Sequence, residues 1–321
     1  MQIVNSFKTP VVSIFCLVYN HELYIKDCLE GFLMQKCNFD YEIVIGEDCS
    51  TDNSRLIILE YAQRFPTKFK LLFHDKNIGG SENQMFVFEN CTGKYIAMCE
   101  GDDYWTDPNK LQKQVDFLEM NEDFVCVGGK VRIKDTRNES NKLQYGQQYF
   151  EYSGSQEVPK EDVLDKVKLP FQTSTYLFKR NALDLKLFEL LFKHSISGDI
   201  PILNILNSKG KLFYINEELG VKNHISTGIT AAHEHKGINF LWNRVYMWVQ
   251  ISKLYKQYYL RNIAIDNSKY FERFFTKKFL NVKLAEQITF YRNTRILHQD
   301  LARVILIAFI QKVFLKLRLK R

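Results

Sequence analysis

Tyr95-Ile96-Ala97-Met98-Cys99-Glu100-Gly101-Asp102-Asp103-Tyr104-Trp105 is the stretch on which the fold turns. Its apolar half predicts a short strand buried on both faces, and the chain leaves that strand through adjacent carboxylates. Like charges this close repel one another, so the cluster is costly unless solvent or a cation offsets it. Mg²⁺ or Mn²⁺ takes oxygen ligands of this kind and completes its shell with phosphate oxygens. Open α/β sheets bind ligands beyond the carboxyl ends of their strands. An acidic turn that only solvates a strand end would use the same residues, so the surrounding sequence decides.

Upstream, residues 11–18 form a continuous β-rich run that ends at Tyr19-Asn20-His21, and residues 22–35 carry apolar side chains at 25, 29, 32 and 33, a helical spacing. A second strand at 41–45 breaks at Gly46-Glu47-Asp48-Cys49-Ser50-Thr51-Asp52. Ser50 or Thr51 is the expected N-cap of a helix reaching about Arg64. A third strand at 69–74, a turn at Asn77-Ile78-Gly79-Gly80 and a helix at 81–90 lead into the acidic stretch. Such alternation predicts an α/β fold, a mostly parallel sheet flanked by helices. Downstream, residues 134–162 are polar and read as an excursion. A strand at 173–178, helices at 181–194 and about 200–207, and strands at 211–215 and 220–224 follow. Beyond Gly228 the pattern is helical to the end. No GxGxxG follows the first strand, which removes the main support for a dinucleotide enzyme, and no Walker A sequence occurs.

The 321 residues are 45% hydrophobic and 25% charged, ordinary for a globular chain. All seven cysteines lie in the first 130 residues without a CxxC pair, and they read as free thiols in a reducing, cytoplasmic setting. The N-terminus lacks a secretory signal, and no run of about 20 apolar residues predicts a membrane span. The net charge of +7 is concentrated at the end: residues 301–321 hold six basic residues and no acid. These cations lack interleaved aromatics and match no nucleic-acid reading module. The segment reads either as a helix packed on the domain or as a peripheral helix meeting anionic lipid.

Four separated signals fall in one order: a strand ending in Tyr19-Asn20, then EDCSTDNS from Glu47, then EGDDYWTDPNKLQKQVDFL from Glu100, then Gly198-Asp199. Together they resemble family 2 glycosyltransferases of GT-A fold, whose patterns read vSViiptYN, DDgStDnS and D.DDyw.p.kLekqv.fl. NIGG followed by Asn83 resembles the family's N.G...N turn. The resemblance covers about two-thirds of the chain. It implies a catalytic domain over 1–228, with a nucleotide-sugar half to about 130 and an acceptor half after it, and a helical region over 229–321.

The resemblance also implies roles. Asp48 would accept a hydrogen bond from a uracil or guanine N–H, unless it only caps the next helix. Val18, Tyr19, Asn20, Glu22, Asn77, Gly79, Asn83, Glu100, Gly101, Asp102 and Lys222 would line the site for a UDP- or GDP-linked sugar. Asp102 and Asp103, with His224, would hold Mn²⁺ or Mg²⁺. Asp199 would be the base that deprotonates an acceptor hydroxyl, or else a helix-capping residue. Trp105 would either stack on an acceptor sugar or fill core. The family's first aspartate is Glu100 here, its ED pair is Gly198-Asp199, and Lys222-Asn223 replaces a Tyr-Arg. The implied activity is an inverting, metal-dependent transfer to a glycan or lipid-linked acceptor in surface-polysaccharide assembly. A non-catalytic sugar-nucleotide-binding or scaffold subunit is the alternative.

Overall fold

The computed structural model describes residues 9–135, 143–145, 149–193, 195, 198–225 and 237–279. In chain order these form β1 (Val12–Val18), α1 (Ile25–Leu33), β2 (Tyr41–Glu47), α2 (Ser54–Arg64), β3 (Phe69–Phe73), α3 (Gly80–Asn90), β4 (Tyr95–Met98), β5 (Tyr104–Trp105), α4 (Lys110–Met120) and β6 (Phe124–Asp135). There follow β7 (Leu143–Tyr145), β8 (Gln156–Glu157), α5 (Lys160–Val163), β9 (Leu177–Lys179), α6 (Leu185–Phe192), α7 (Asp199–Lys209), β10 (Lys211–His224), α8 (Ile238–Ser252) and α9 (Tyr258–Phe279).

One mixed sheet carries the architecture, in the order β3-β2-β1-β4-β9-β6-β10-β5, with β7 beside β6 and β8 beside β10. The strands β3, β2, β1 and β4 run parallel, as the βαβ alternation requires. β10 runs parallel to β6 along most of both strands, and the short β9 joins the two parallel blocks through antiparallel pairs. β1 and β2 are buried along nearly their whole length because both faces are covered, and their polar members Ser13, Glu42 and Glu47 are buried with the rest. On one face α1 buries Ile25, Cys28, Leu29 and Phe32 against Ile14, Ile43, Ala97 and Trp105.

Three local expectations differ from what is seen. Residues 173–178 are not a full strand: Gln172 accepts from the Ser174 N–H and closes a 3₁₀ turn at Thr173–Thr175, leaving only Leu177–Lys179 extended. The polar residues Asn216 to Leu219 do not separate two strands, because register shifts in the pairing with β6 carry β10 through as one strand. Neither Ser50 nor Thr51 caps α2, which starts at Ser54 after Asn53. The excursion at 134–162 contains the end of β6, β7, β8 and α5, with 136–142 and 146–148 outside the described residues.

The chain divides into two compact units, Met1–Lys193 with Ser197–Ala231, and His194–Ile196 with Ala232–Arg321. In the second, α8 and α9 pack on each other through a core of Trp242, Val245, Phe275 and Phe279. Among the described residues no helix is long and apolar enough to cross a membrane. The basic segment 301–321 and Gly228 lie outside the described residues.

Candidate active site

The loops that follow β1 and β2 are locked together by the polar residues of the TDNS stretch. Asn20 sits in the left-handed region (φ 57°), where Asn is among the residues that tolerate it. Its side-chain oxygen accepts from the Thr51 N–H at 2.8 Å, and its own N–H donates to Ser50 Oγ at 3.0 Å. The His21 N–H donates to Ser54 Oγ (2.8 Å) and the Glu22 N–H to Asp52 (3.0 Å). The Glu22 carboxylate accepts from both the backbone and the amide of Asn53. Asn20 and Glu22 thus join two loops through one side-chain oxygen each. The Val18 side chain is core, and its carbonyl accepts from the Asp48 N–H. Tyr19 is exposed beside them.

Asp48 fastens the third loop and caps no helix. Its two carboxylate oxygens accept from the Ile78 and Gly79 N–H groups at 2.7 and 2.9 Å, and its carbonyl accepts from the Asn77 amide. Gly79 has φ +89° at the start of α3, a conformation open to glycine. Asn83 is buried. Its amide donates to the Gly46 carbonyl at 2.9 Å, and its oxygen meets His74 Nε2 at 3.1 Å. It ties α3 to β2.

Beyond β4, the carboxylates of Glu100, Asp102 and Asp103 converge to within 4.8 Å of one another. Gly101 permits this turn: a Cβ there would lie 2.8 Å from Val18 and 2.9 Å from His21 Nδ1. Asp103 is buried. One of its oxygens accepts from the Asn223 N–H (2.9 Å) and the other from the Gln172 amide (2.9 Å). The Asn223 amide also donates to the Asp102 carbonyl at 2.6 Å. Gln172 and Asn223 are residues that sequence reasoning missed, since one lies just before a run that reads as strand and the other breaks the family pattern.

Burial, then Asp102 and Glu100, push the Asp103 carboxyl well above the usual range; Lys222 and the Asn223 N–H work against them. Burial and Asp102 push Glu100 up to about 7, and Asp199 adds to this while Lys222 opposes it. Lys222 itself is held above the ordinary lysine range, because Tyr149, Asp103 and Glu100 outweigh the penalty of burial. Such a set of crowded, partly desolvated carboxylates suits a hard divalent cation, whose charge would offset the repulsion.

His224 is not a member of this group. β10 turns Asn223 toward the carboxylates, and the next residue of a strand points to the opposite face. Lys222 and His224 share the other face of β10, and Lys222 still brings its charge to Asp103 and Glu100. Asp199 opens α7, with the Ile200 N–H donating to its Oδ1 at 2.8 Å, and its charge reaches both Glu100 and Tyr176. Trp105 is core: it is 2% exposed, its ring lies 4.8 Å from that of Phe32, and its indole N–H donates to the Ser174 carbonyl. No ring face remains for an acceptor. His21 Nδ1 is buried beside Gly101 without a hydrogen-bond partner among the described residues, and burial lowers its pKa against the pull of Asp102 and Asp52.

The model of glycosyl transferase family 2 matches residues 13–185. The chain belongs to this family. The matched residues include Asp48, the three carboxylates and Gln172, and end before Asp199, Lys222 and His224. An uncharacterized protein of Mycobacterium tuberculosis is 46% identical over 122 residues, 38% of this chain and 35% of its own. TuaG of Bacillus subtilis, named for teichuronic acid biosynthesis, is 31% identical over 109 residues, 34% of this chain and 42% of its own. The aligned stretch thus spans less than half the length of these relatives. Among solved structures, S. aureus TarS 1–349 in complex with UDP matches with a TM-score of 0.62 and 18% identity, over 87% of this chain and 77% of that one. The fold is that of GT-A glycosyltransferases, and as a family 2 member the chain carries its acidic cluster at the carboxyl end of β4, beside the switch from β4 to β9 in the sheet.

Proposed function

We propose that this family 2 protein transfers a sugar, with inversion, from a UDP- or GDP-linked donor to a hydroxyl of a growing, lipid-linked glycan in surface-polysaccharide assembly. The convergence of Glu100, Asp102 and Asp103 beside Lys222 carries this reading, because it concentrates ionisable oxygens at the strand end where a diphosphate would sit. The name of TuaG and the complexes of TarS with UDP and UDP-GlcNAc support the donor class and the polymer setting.

Asp102 and Asp103 would hold Mn²⁺ or Mg²⁺, which when bound supplies Lewis-acid stabilisation of a departing diphosphate. Gln172 and Asn223 hold Asp103 in place through hydrogen bonds to both of its oxygens. Lys222 brings a positive charge to the same place. Asp199 takes the proton of the acceptor hydroxyl as its oxygen bonds to the anomeric carbon. The bond from that carbon to the phosphate oxygen breaks on the opposite side, and the nucleoside diphosphate leaves with the electron pair.

The test joins donor binding to turnover. With Mn²⁺, UDP or GDP should raise the melting temperature of the wild type, by about 2.7 kcal/mol of stability at 100 times its dissociation constant. Asp102→Asn should lose that gain. Asp199→Asn should keep it and slow donor consumption by about 10² or more, a usual worth for a general base. A wild type that binds neither nucleotide, or an Asp199→Asn variant of unchanged rate, would remove the proposal or its base.

A further inference from the structure

A cleft of about 280 Å³ opens against β6, walled by Tyr149, Phe150, Tyr152, Phe171 and Tyr214, with Gln172 also in its lining. At about 30 Å³ per water this volume equals about nine waters, room for a single sugar ring. The walls are organised. The Phe150 and Tyr152 rings lie nearly parallel with centroids 5.9 Å apart, and Tyr152 meets Tyr214 edge-on at 4.8 Å. Tyr152 is fixed further by donating its hydroxyl to Asp162 at 2.9 Å.

Two wall residues touch groups of the carboxylate site. Gln172 donates to Asp103, and the Tyr149 hydroxyl accepts from Lys222 Nζ at 3.4 Å. The cleft thus adjoins the site, with one side chain between it and Asp103 and one between it and Lys222. Lys130 and Glu151 complete the lining with two charges, and neither side chain has a hydrogen bond or ion pair among the described residues. Aromatic walls with few polar groups suit a ligand that has an apolar face and a polar edge. A pyranose ring has both, its C–H bonds on the faces and its hydroxyls around the rim. An open-chain polyol has no such flat face, and a lipid chain would leave Lys130 and Glu151 unused.

We infer that this cleft seats the terminal pyranose of the acceptor glycan, stacked on Phe150 and Tyr152 with its rim hydroxyls toward Lys130 and Glu151. The inference rests on the glycosyltransferase reading and assigns the acceptor class and the residues that select it.

The experiment is saturation-transfer NMR on the full chain with UDP and Mg²⁺ present. The probes are methyl glycosides of glucose, galactose, mannose and their N-acetylated amino sugars, with glucitol and galactitol as ring-free controls. At least one glycoside should receive saturation and the alditols none. Phe150→Ala and Tyr152→Ala should weaken that glycoside tenfold or more, and Tyr152→Phe, which keeps the ring, should retain it. Glu151→Ala, a surface change, should weaken it in a variant that melts like wild type. Binding of no glycoside, equal binding of alditols, or unchanged binding in Phe150→Ala and Glu151→Ala would overturn the inference. Nucleotide binding separates the two readings, because a wild type that binds neither UDP nor GDP fails as a transferase whatever the glycosides do.

Discussion

Lys110 is fully buried beneath Trp105, whose ring lies 4.1 Å from Nζ, and it donates to Gln114 at 2.8 Å. Burial brings its pKa down to about 7, against the pull of Cys99, Asp107 and Cys126. From pH 7 to the ordinary lysine value the unfolded chain therefore binds a proton there that the folded chain lacks. Stability should rise with pH across that window relative to Lys110→Met, by at most about 1.4 kcal/mol per pH unit. Below pH 7 both states carry the proton and the difference should be flat. Urea melts of the two proteins from pH 6 to pH 10 measure this, and parallel curves would mean that Lys110 is solvated. At this scale the sequence was legible for charge and poor for partners. The acids at 100, 102 and 103 show as crowded charge, and the ordered motifs around them decide how they read. That Asn83 and Glu22 hold backbone groups depends on partners 30 or more residues away.

At the scale of elements, β2 and α2 are joined by a buried charge. Glu47 closes β2 with no exposure, accepts from the Ser50 N–H at 2.6 Å and pairs with Arg55 in the first turn of α2. Arg55 also donates to the His74 carbonyl at 2.8 Å and lies 4.9 Å from the Phe73 ring, so one side chain ties α2 to the end of β3. Arg55→Ala would leave Glu47 buried and unpaired, a loss of about 3–5 kcal/mol. Denaturant titration should show that drop, and adding Glu47→Gln should recover part of it by removing the stranded charge. No recovery would mean that Arg55 acts through Phe73 and His74. The alternation of apolar runs made β1 to β4 and their helices readable, because each is buried by local partners. β5 and the bulged passage through β10 were not, since each is set by hydrogen bonds to distant strands, and the 3₁₀ turn was not, since the Gln172 side chain accepting from the Ser174 N–H overrides the apolar run that follows.

For the whole molecule, the two compact units predict a division of labour. Every side chain assigned here to donor, base or acceptor lies in the first unit. For the basic segment 301–321, outside the described residues, the sequence alone supplies the argument: apolar residues such as Ile305, Phe309 and Phe314 are interleaved with Arg303, Lys312, Lys316 and Arg318. A segment this charged suits an interface and not a span. Its cations should each contribute on the order of 1 kcal/mol near an anionic surface. The wild type should therefore sediment with vesicles containing phosphatidylglycerol and stay free of pure phosphatidylcholine vesicles. The binding should fall steeply with salt, since surface charge is screened within about 8 Å at physiological ionic strength. Removing residues 304–321 should abolish vesicle binding and leave nucleotide binding with Mn²⁺ intact. A truncated chain that aggregates, beside an intact chain that ignores anionic vesicles, would make Ile305, Phe309 and Phe314 core residues, and the proposed lipid-linked acceptor would have to reach this protein without help from its tail.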